Sequence, residues 1–254
     1  MEDLLSPSNV DQDLLKYKLS ILSDDDLKLL VNGVCDDTHE PLFFRFCHLL
    51  NEDMMLRWLR NGFDTDLRSN YGCHVIHLAC CMHYTIVVTY LLRIIGKSCF
   101  ELQDNDGWFP IDHATLAYAS QIRPGQYNPC FFIKFLIENG AIDHCKRSTP
   151  DLISPLIRIV LYDKRDVCGP IIKLFLENGF DANDTTIGHN LNALYFAVKN
   201  NALCNAEILL KAGTDLGCIN EESVLSLAVD TDNELLVRLV LKYNAKSFSN
   251  ETRS

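Results

Sequence analysis

The sequence predicts an all-α solenoid of stacked helix pairs, and three observations carry that prediction. First, a Leu-rich helical stretch closed by glycine recurs along almost the whole chain. It reads Leu29-Leu30-Val31-Asn32-Gly33, Trp58-Leu59-Arg60-Asn61-Gly62, Leu136-Ile137-Glu138-Asn139-Gly140, Phe175-Leu176-Glu177-Asn178-Gly179 and Leu209-Leu210-Lys211-Ala212-Gly213, with looser copies ending at Gly96 and Asn244. Glycine or asparagine there suits the left-handed residue that ends a helix, so the recurrence has a backbone cause. Second, these closures lie about 29 to 44 residues apart, scattered around the roughly 33-residue period of a helix-pair repeat. Third, 48% of the residues are apolar while glycine (12) and proline (8) are scarce, which supplies a core and leaves little for linkers or disorder. Little extended sheet is expected.

Taken in order, Val10, Leu14-Leu15, Leu19 and Ile21-Leu22 give one helical pattern, and Ser23 with Asp26 has capping-box spacing for a second that closes at Gly33. Residues 1–36 therefore read as an N-terminal helical cap that shields the first repeat, as solenoids require. About 20 residues before each later closure lies a helix start. The copies are Glu40-Pro41-Leu42-Phe43, Gly72-Cys73-His74-Val75-Ile76-His77-Leu78-Ala79, Phe109-Pro110-Ile111, Ser154-Pro155-Leu156-Ile157, Asn192-Ala193-Leu194 and Ser223-Val224-Leu225. Proline in a first turn loses no hydrogen bond, and Ser or Asn before the helix caps its exposed amides. Second helices carry apolar residues at helical spacing, as in Ile171-Ile172 with Leu174-Phe175-Leu176, or Ala206 with Ile208-Leu209-Leu210. Six repeats over 37–246 follow, then a polar, frayed tail at 247–254. Repeat three carries about ten extra residues between its helices, around 119–128, and repeat four a smaller excess around 162–166. These read either as a protrusion on one edge of the stack or as tolerated surface loops.

The run Asp104-Asn105-Asp106-Gly107-Trp108-Phe109-Pro110-Ile111-Asp112-His113-Ala114, with Gly72 to Ala79, resembles the ankyrin-repeat signature of an Asp-led turn, a glycine and a Thr-Pro-Leu-His-x-Ala helix start. No copy is intact, yet the resemblance covers more than four-fifths of the chain. It implies closely packed inner helices, which fits the small Ala114, Ala197 and Ala228. It gives His77 the family's structural hydrogen bond between neighbouring turns. It also implies a non-enzymatic protein-binding module, a scaffold, adaptor or inhibitor, acting through its concave face. The residues this places at a partner are the finger positions Tyr71, Trp108 and Leu191, the inner-helix positions Met82, His83 and Lys199, and the acidic pair Asp104 and Asp106. Trp108, between Gly107 and the Thr-equivalent Phe109, reads as an interface anchor or as packing on the insertion that follows. Two other readings stay open: a substrate-recognition subunit of a ubiquitin ligase, with a docking helix inside the 1–36 cap, and a pathogen ankyrin protein that sequesters a host signalling protein.

Charge narrows the partners. Thirty-four acidic side chains against 23 basic ones give a net charge of -11, and basic residues cluster no further than the pairs Lys146-Arg147 and Lys164-Arg165. Nucleic acid and anionic membranes are disfavoured, since both demand basic patches, and a protein with a basic or mixed surface is favoured. The N-terminal Met1-Glu2-Asp3-Leu4-Leu5 is acidic with no signal-peptide core behind it. The longest apolar stretch, Ile86 to Leu92, stops at Arg93, far short of a span of roughly 20 residues. Eleven cysteines in no regular frame fit a reducing cytoplasm or nucleus. Cys73, His77 and Cys81 share a helix face at zinc-ligand spacing, but one helix rarely encloses a tetrahedral ion, so packing is the preferred reading and no metal or cofactor is expected. The sequence holds no Gly-rich phosphate loop, no His-Glu-x-x-His and no Gly-x-Ser-x-Gly, so no enzyme activity is expected.

Overall fold

The computed structural model describes residues 12–35, 38–119, 129–143, 153–186, 189–216, 218–219 and 222–251. Val10 and most of the 119–128 insertion lie outside these described residues. The chain divides into two compact units, the first ending at His113 and the second beginning at Ala114.

The described helices of the first unit are α1 (Gln12–Ile21), α2 (Asp24–Leu30), α3 (Leu42–Phe46), α4 (Glu52–Arg60), α5 (Val75–Cys81) and α6 (Thr85–Ile94), with a 3-10 segment at Lys97–Glu101. Helix α7 (Pro110–Ala119) spans the boundary. The second unit continues with α8 (Pro129–Glu138), α9 (Pro155–Tyr162), α10 (Gly169–Glu177), α11 (Ala193–Lys199), α12 (Leu203–Lys211), α13 (Val224–Asp230) and α14 (Glu234–Glu251). The expected all-α architecture is thus present. Among the described residues the only strands are β1 (Cys218–Ile219) and β2 (Glu222–Ser223), one antiparallel pair with Cys218 opposite Ser223.

Caps explain where the helices begin. The Ser23 hydroxyl accepts the Asp26 N–H at 3.1 Å and donates to the Asp26 carboxylate at 2.6 Å, so the spacing read in the cap is a local hydrogen-bonded unit. Asn51, Ser154, Asn192 and Ser223 cap α4, α9, α11 and α13 by accepting the N–H three residues on. The closures are left-handed at Gly62, Gly96, Gly140, Gly179 and Gly213, with φ between 86° and 94°. The asparagines before three of them have a cause the sequence alone did not reveal. Asn61, Asn139 and Asn178 each donate a side-chain N–H to the carbonyl four residues back, at 2.8 to 2.9 Å, a second bond to an oxygen that already accepts the same residue's backbone N–H.

Three expectations are corrected. Gly33 is not left-handed; it sits in a tight space, where a Cβ would meet Leu42 Cδ1 of α3 at 3.0 Å and the Leu30 carbonyl at 3.1 Å. Asn244 closes nothing, since α14 runs through it. The same helix continues to Glu251, into the segment expected as a frayed tail.

Each unit has its own apolar interior. In the first, Phe43 meets Phe63 at 4.3 Å and Trp58 at 5.6 Å between ring centres, and Ile76, Ala79, Val87, Val88 and Leu91 are buried along α5 and α6. In the second, the first helices α9, α11 and α13 pack in succession, and so do the second helices α8, α10, α12 and α14. Ala197 and Ala228 are fully buried, as close-packed inner helices require.

Candidate functional site

Two neighbouring hairpins organise the first unit. In one, Ser69 N–H donates to the Cys73 carbonyl at 2.9 Å and Gly72 N–H to the Ser69 carbonyl at 2.8 Å. In the next, Asp104 N–H donates to the Trp108 carbonyl and Gly107 N–H to the Asp104 carbonyl, both at 3.1 Å. Asn105 locks the pair: its backbone N–H donates to the Tyr71 carbonyl at 3.0 Å and its side chain to the Asn70 carbonyl at 3.1 Å. Gly72 makes this approach possible. It sits at φ +77°, and a Cβ there would lie 2.7 Å from Asn105 N and 2.3 Å from its Oδ1.

Beneath the hairpins is a polar frame centred on His77, which is fully buried. Its Nδ1 accepts the His74 N–H at 3.0 Å, so Nε2 carries the proton and faces the carbonyls of Leu102 (3.1 Å) and Trp108 (3.3 Å). This is the link between neighbouring turns that the resemblance implied. Burial, then the nearby His113 and His74 rings, lower the His77 pKa to about 4, so the ring is neutral near pH 7. Asp104 is the second centre. Its Oδ1 accepts the N–H groups of Asp106 (3.0 Å) and Trp108 (2.9 Å), and its Oδ2 accepts from His113 Nε2 at 2.8 Å. Burial opposes ionisation of this carboxyl, yet the combined hydrogen bonds from Trp108, His113 and Asp106 hold its pKa below the usual value.

The residues singled out from sequence fall into distinct environments. Tyr71 is 76% exposed at a hairpin tip, and Asp106 is exposed on the next. Trp108 is half-buried with its ring 5.7 Å from that of His113, edge to face. Asp104 differs from the exposed partner-facing acid expected of it: its side chain is only 7% exposed, with Oδ1 committed within the hairpin and Oδ2 to His113 of α7. Met82 and His83 are half-buried in the turn after α5 rather than on the helix, with His83 at φ 55°. Leu191 and Lys199 belong to the second unit. Leu191 closes a hairpin there, its carbonyl accepting from Thr186 N–H at 2.8 Å. Lys199 is exposed at the end of α11, with its ammonium 5.6 Å from the Tyr195 ring centre.

The small excess in repeat four is a built loop. Asp163 is fully buried and accepts from the N–H groups of Arg165, Val167 and Cys168 and from Asn205 Nδ2 at 2.8 Å. Asp166 accepts the N–H groups of Cys204 and Asn205, capping the start of α12.

Burial raises the thiol pKa values of Cys47 and Cys73 to about 11 and of Cys99 to about 12, which leaves these groups protonated and poor nucleophiles near neutral pH. Cys73 precedes α5 and so does not share its face with His77 and Cys81 as expected; among the described residues it is the member of that set that joins a group with metal-ligand geometry. Its partners are Asp104 and His113, with one ligand atom from each residue within 4.8 Å of the others. In the sequence His113 carries no signal beyond its place after a helix start; the signal that could have found it is Asp104, the partner nine residues earlier.

No family model matches the chain. Paired helices with locked hairpins define a helical repeat protein, and the solved structures specify which kind. The human ASB11 ankyrin repeat domain is similar over 80% of this chain and 83% of its own, with a TM-score of 0.61 and 18% identity. The ankyrin repeat domain of Bcl-3, a member of the IkappaB protein family, is similar over 85% of both chains, with a TM-score of 0.58 and 19% identity. A chain in the complex of the predatory endopeptidase Bd0816 from Bdellovibrio bacteriovorus with its immunity protein Bd3460 is similar over 72% of this chain and 88% of its own, with a TM-score of 0.53 and 16% identity. The chain thus has the ankyrin-repeat fold.

Proposed function

We propose that the chain is a non-catalytic protein-binding module, acting as scaffold, adaptor or inhibitor, which engages its partner through the hairpin tips of the first unit. The observation that carries the reading is Tyr71: a large aromatic side chain held out at 76% exposure on a backbone locked to the neighbouring hairpin. An exposed aromatic on a fixed frame is a low-entropy interface anchor. Asp106 lies on the adjacent tip, and together with the net charge of -11 it favours a partner with a basic or mixed surface over nucleic acid. Raised thiol pKa values and a committed His77 argue against nucleophilic catalysis. No described helix is long and apolar enough to cross a membrane. The cysteines described as free fit a reducing cytoplasm or nucleus.

The test is capture of partners from the native cells with the full chain, identification by mass spectrometry, and measurement of Kd with the purified partner. Tyr71→Ala is expected to weaken binding roughly 10- to 30-fold while leaving the melting temperature unchanged, because the removed ring is mostly in water. Wild-type affinity in a folded Tyr71→Ala variant would remove the hairpin tips from the interface. Trp108→Ala is a less clean probe, since that ring also rests against His113.

A further inference from the structure

We propose that Cys73, Asp104 and His113 form a binding site for one divalent transition-metal ion of the zinc class. The three come from separate pieces of local structure: Cys73 ends the first hairpin, Asp104 opens the second, and His113 lies in the first turn of α7. Two donors converge on one oxygen. His113 Nε2 is 2.8 Å from Asp104 Oδ2, and Cys73 Sγ is 4.0 Å from the same atom. A cation at that point replaces hydrogens that the thiol and the ring both direct at Oδ2.

The dimensions fit. Zinc–sulfur and zinc–nitrogen or –oxygen bonds of about 2.3 Å and 2.0–2.1 Å put tetrahedral ligand atoms roughly 3.3 to 3.6 Å apart. The sulfur must approach Oδ2 by about half an ångström and the imidazole retreat by about as much. The supporting shell is already built. Asp104 Oδ1 is pinned by two backbone N–H groups, which aims Oδ2. The His113 ring is bracketed edge to face by His77 at 5.1 Å and Trp108 at 5.7 Å. Such second contacts orient metal ligands.

Charge and donor type select the ion. A thiolate, a carboxylate and a neutral imidazole carry two negative charges together, so a divalent ion makes the half-buried group neutral. Cys73 loses its thiol proton to solvent. The Nε2 proton of His113 also leaves, and a neutral ring regains one at Nδ1, so one proton is released net, or two if the ring starts as imidazolium. Sulfur and nitrogen donors select against magnesium and calcium, which take oxygen ligands. Three protein ligands leave a fourth position for water. The site goes beyond the proposed binding role, because it would clamp the two hairpins together whether or not a partner is present.

The experiment titrates the metal-free full chain with Co2+ under a phosphine reductant. The expected result is a thiolate-to-cobalt charge-transfer band that saturates at one equivalent and is bleached by Zn2+. Cys73→Ser should abolish the band, and His113→Gln should lower cobalt affinity by at least about tenfold; circular dichroism identifies folded variants. Absence of the band in the wild type, or its persistence in Cys73→Ser, overturns the proposal. If Cys73→Ser does not fold, His113→Gln decides: unchanged cobalt affinity overturns the site. Partner capture by Tyr71→Ala reads the binding proposal separately, so either can fail alone.

Discussion

His77 and Gly72 show how single residues hold the hairpins. The His77 ring is neutral in the folded protein because burial has lowered its pKa to about 4, against 6.5 for the free side chain. Between those two values the unfolded chain binds a proton that the folded one refuses, so stability is full above pH 6.5 and falls as pH drops toward 4. Asp104, with a pKa held below 3.8, adds a loss only beneath that range. Urea unfolding at pH 7, 5.5 and 4.5 should show the wild type losing up to about 1.4 kcal/mol per pH unit through this group. His77→Gln should flatten that slope even though it lowers stability at pH 7; an unchanged slope would mean the imidazole titrates normally when folded. Gly72→Ala combines a positive φ with an overlap against Asn105 backbone, and is expected to destabilise by about 1–3 kcal/mol, read from urea midpoints. His77 was legible in the sequence because its motif survives. Gly33 was legible only as a glycine, because the closest atom to its missing Cβ belongs to a side chain on α3 that no local pattern reveals.

At the scale of elements, the helix starts were readable because capping is local: Ser23 to Asp26, Ser154 to Ile157 and Asn192 to Tyr195 each complete their bond within one turn. The loop after α9 was not. It appeared as surplus length around 162–166, whereas its structure depends on Asn205, 42 residues from the Asp163 carboxylate it donates to. The metal-ligand group was hidden for the same reason: Cys73 and Asp104 are 31 residues apart, and sequence spacing drew attention to the face of α5 instead. The element-scale prediction concerns Asp163→Ala, which strips the acceptor from three backbone N–H groups and an amide at a fully buried position. A loss of about 2–4 kcal/mol is expected, against little change for an exposed neighbour such as Arg165→Ala. A loss below about 0.5 kcal/mol would mean that water replaces the carboxylate and the loop is not built around it.

For the molecule as a whole, the consequence of the repeat is that helix pairs meet their sequence neighbours. In the second unit α9 packs on α11 and α11 on α13, while α10 packs on α8 and α12, and α12 on α14. A stack of this kind has a stability close to a sum of repeat terms and nearest-neighbour interfaces, so damage is felt next door and attenuates beyond. Hydrogen exchange reads this directly, since local opening energies differ along a chain that does not unfold as one unit. Gly72→Ala strains the hairpin that hydrogen-bonds to Asn105; it should accelerate exchange across α5, α6 and residues 102–109. Asp163→Ala should do so across α9, α10 and the start of α12, where Asn205 and the Asp166 cap lie. Neither variant should alter protection in the other's region under conditions where the protein stays folded. If Gly72→Ala instead raised exchange uniformly from α5 through α14, the two units would be opening as one cooperative block. The neighbour-only reading of the stack would then be wrong, and a hairpin-tip variant that lowered affinity would have to be checked for distant loosening before the loss was assigned to a missing contact.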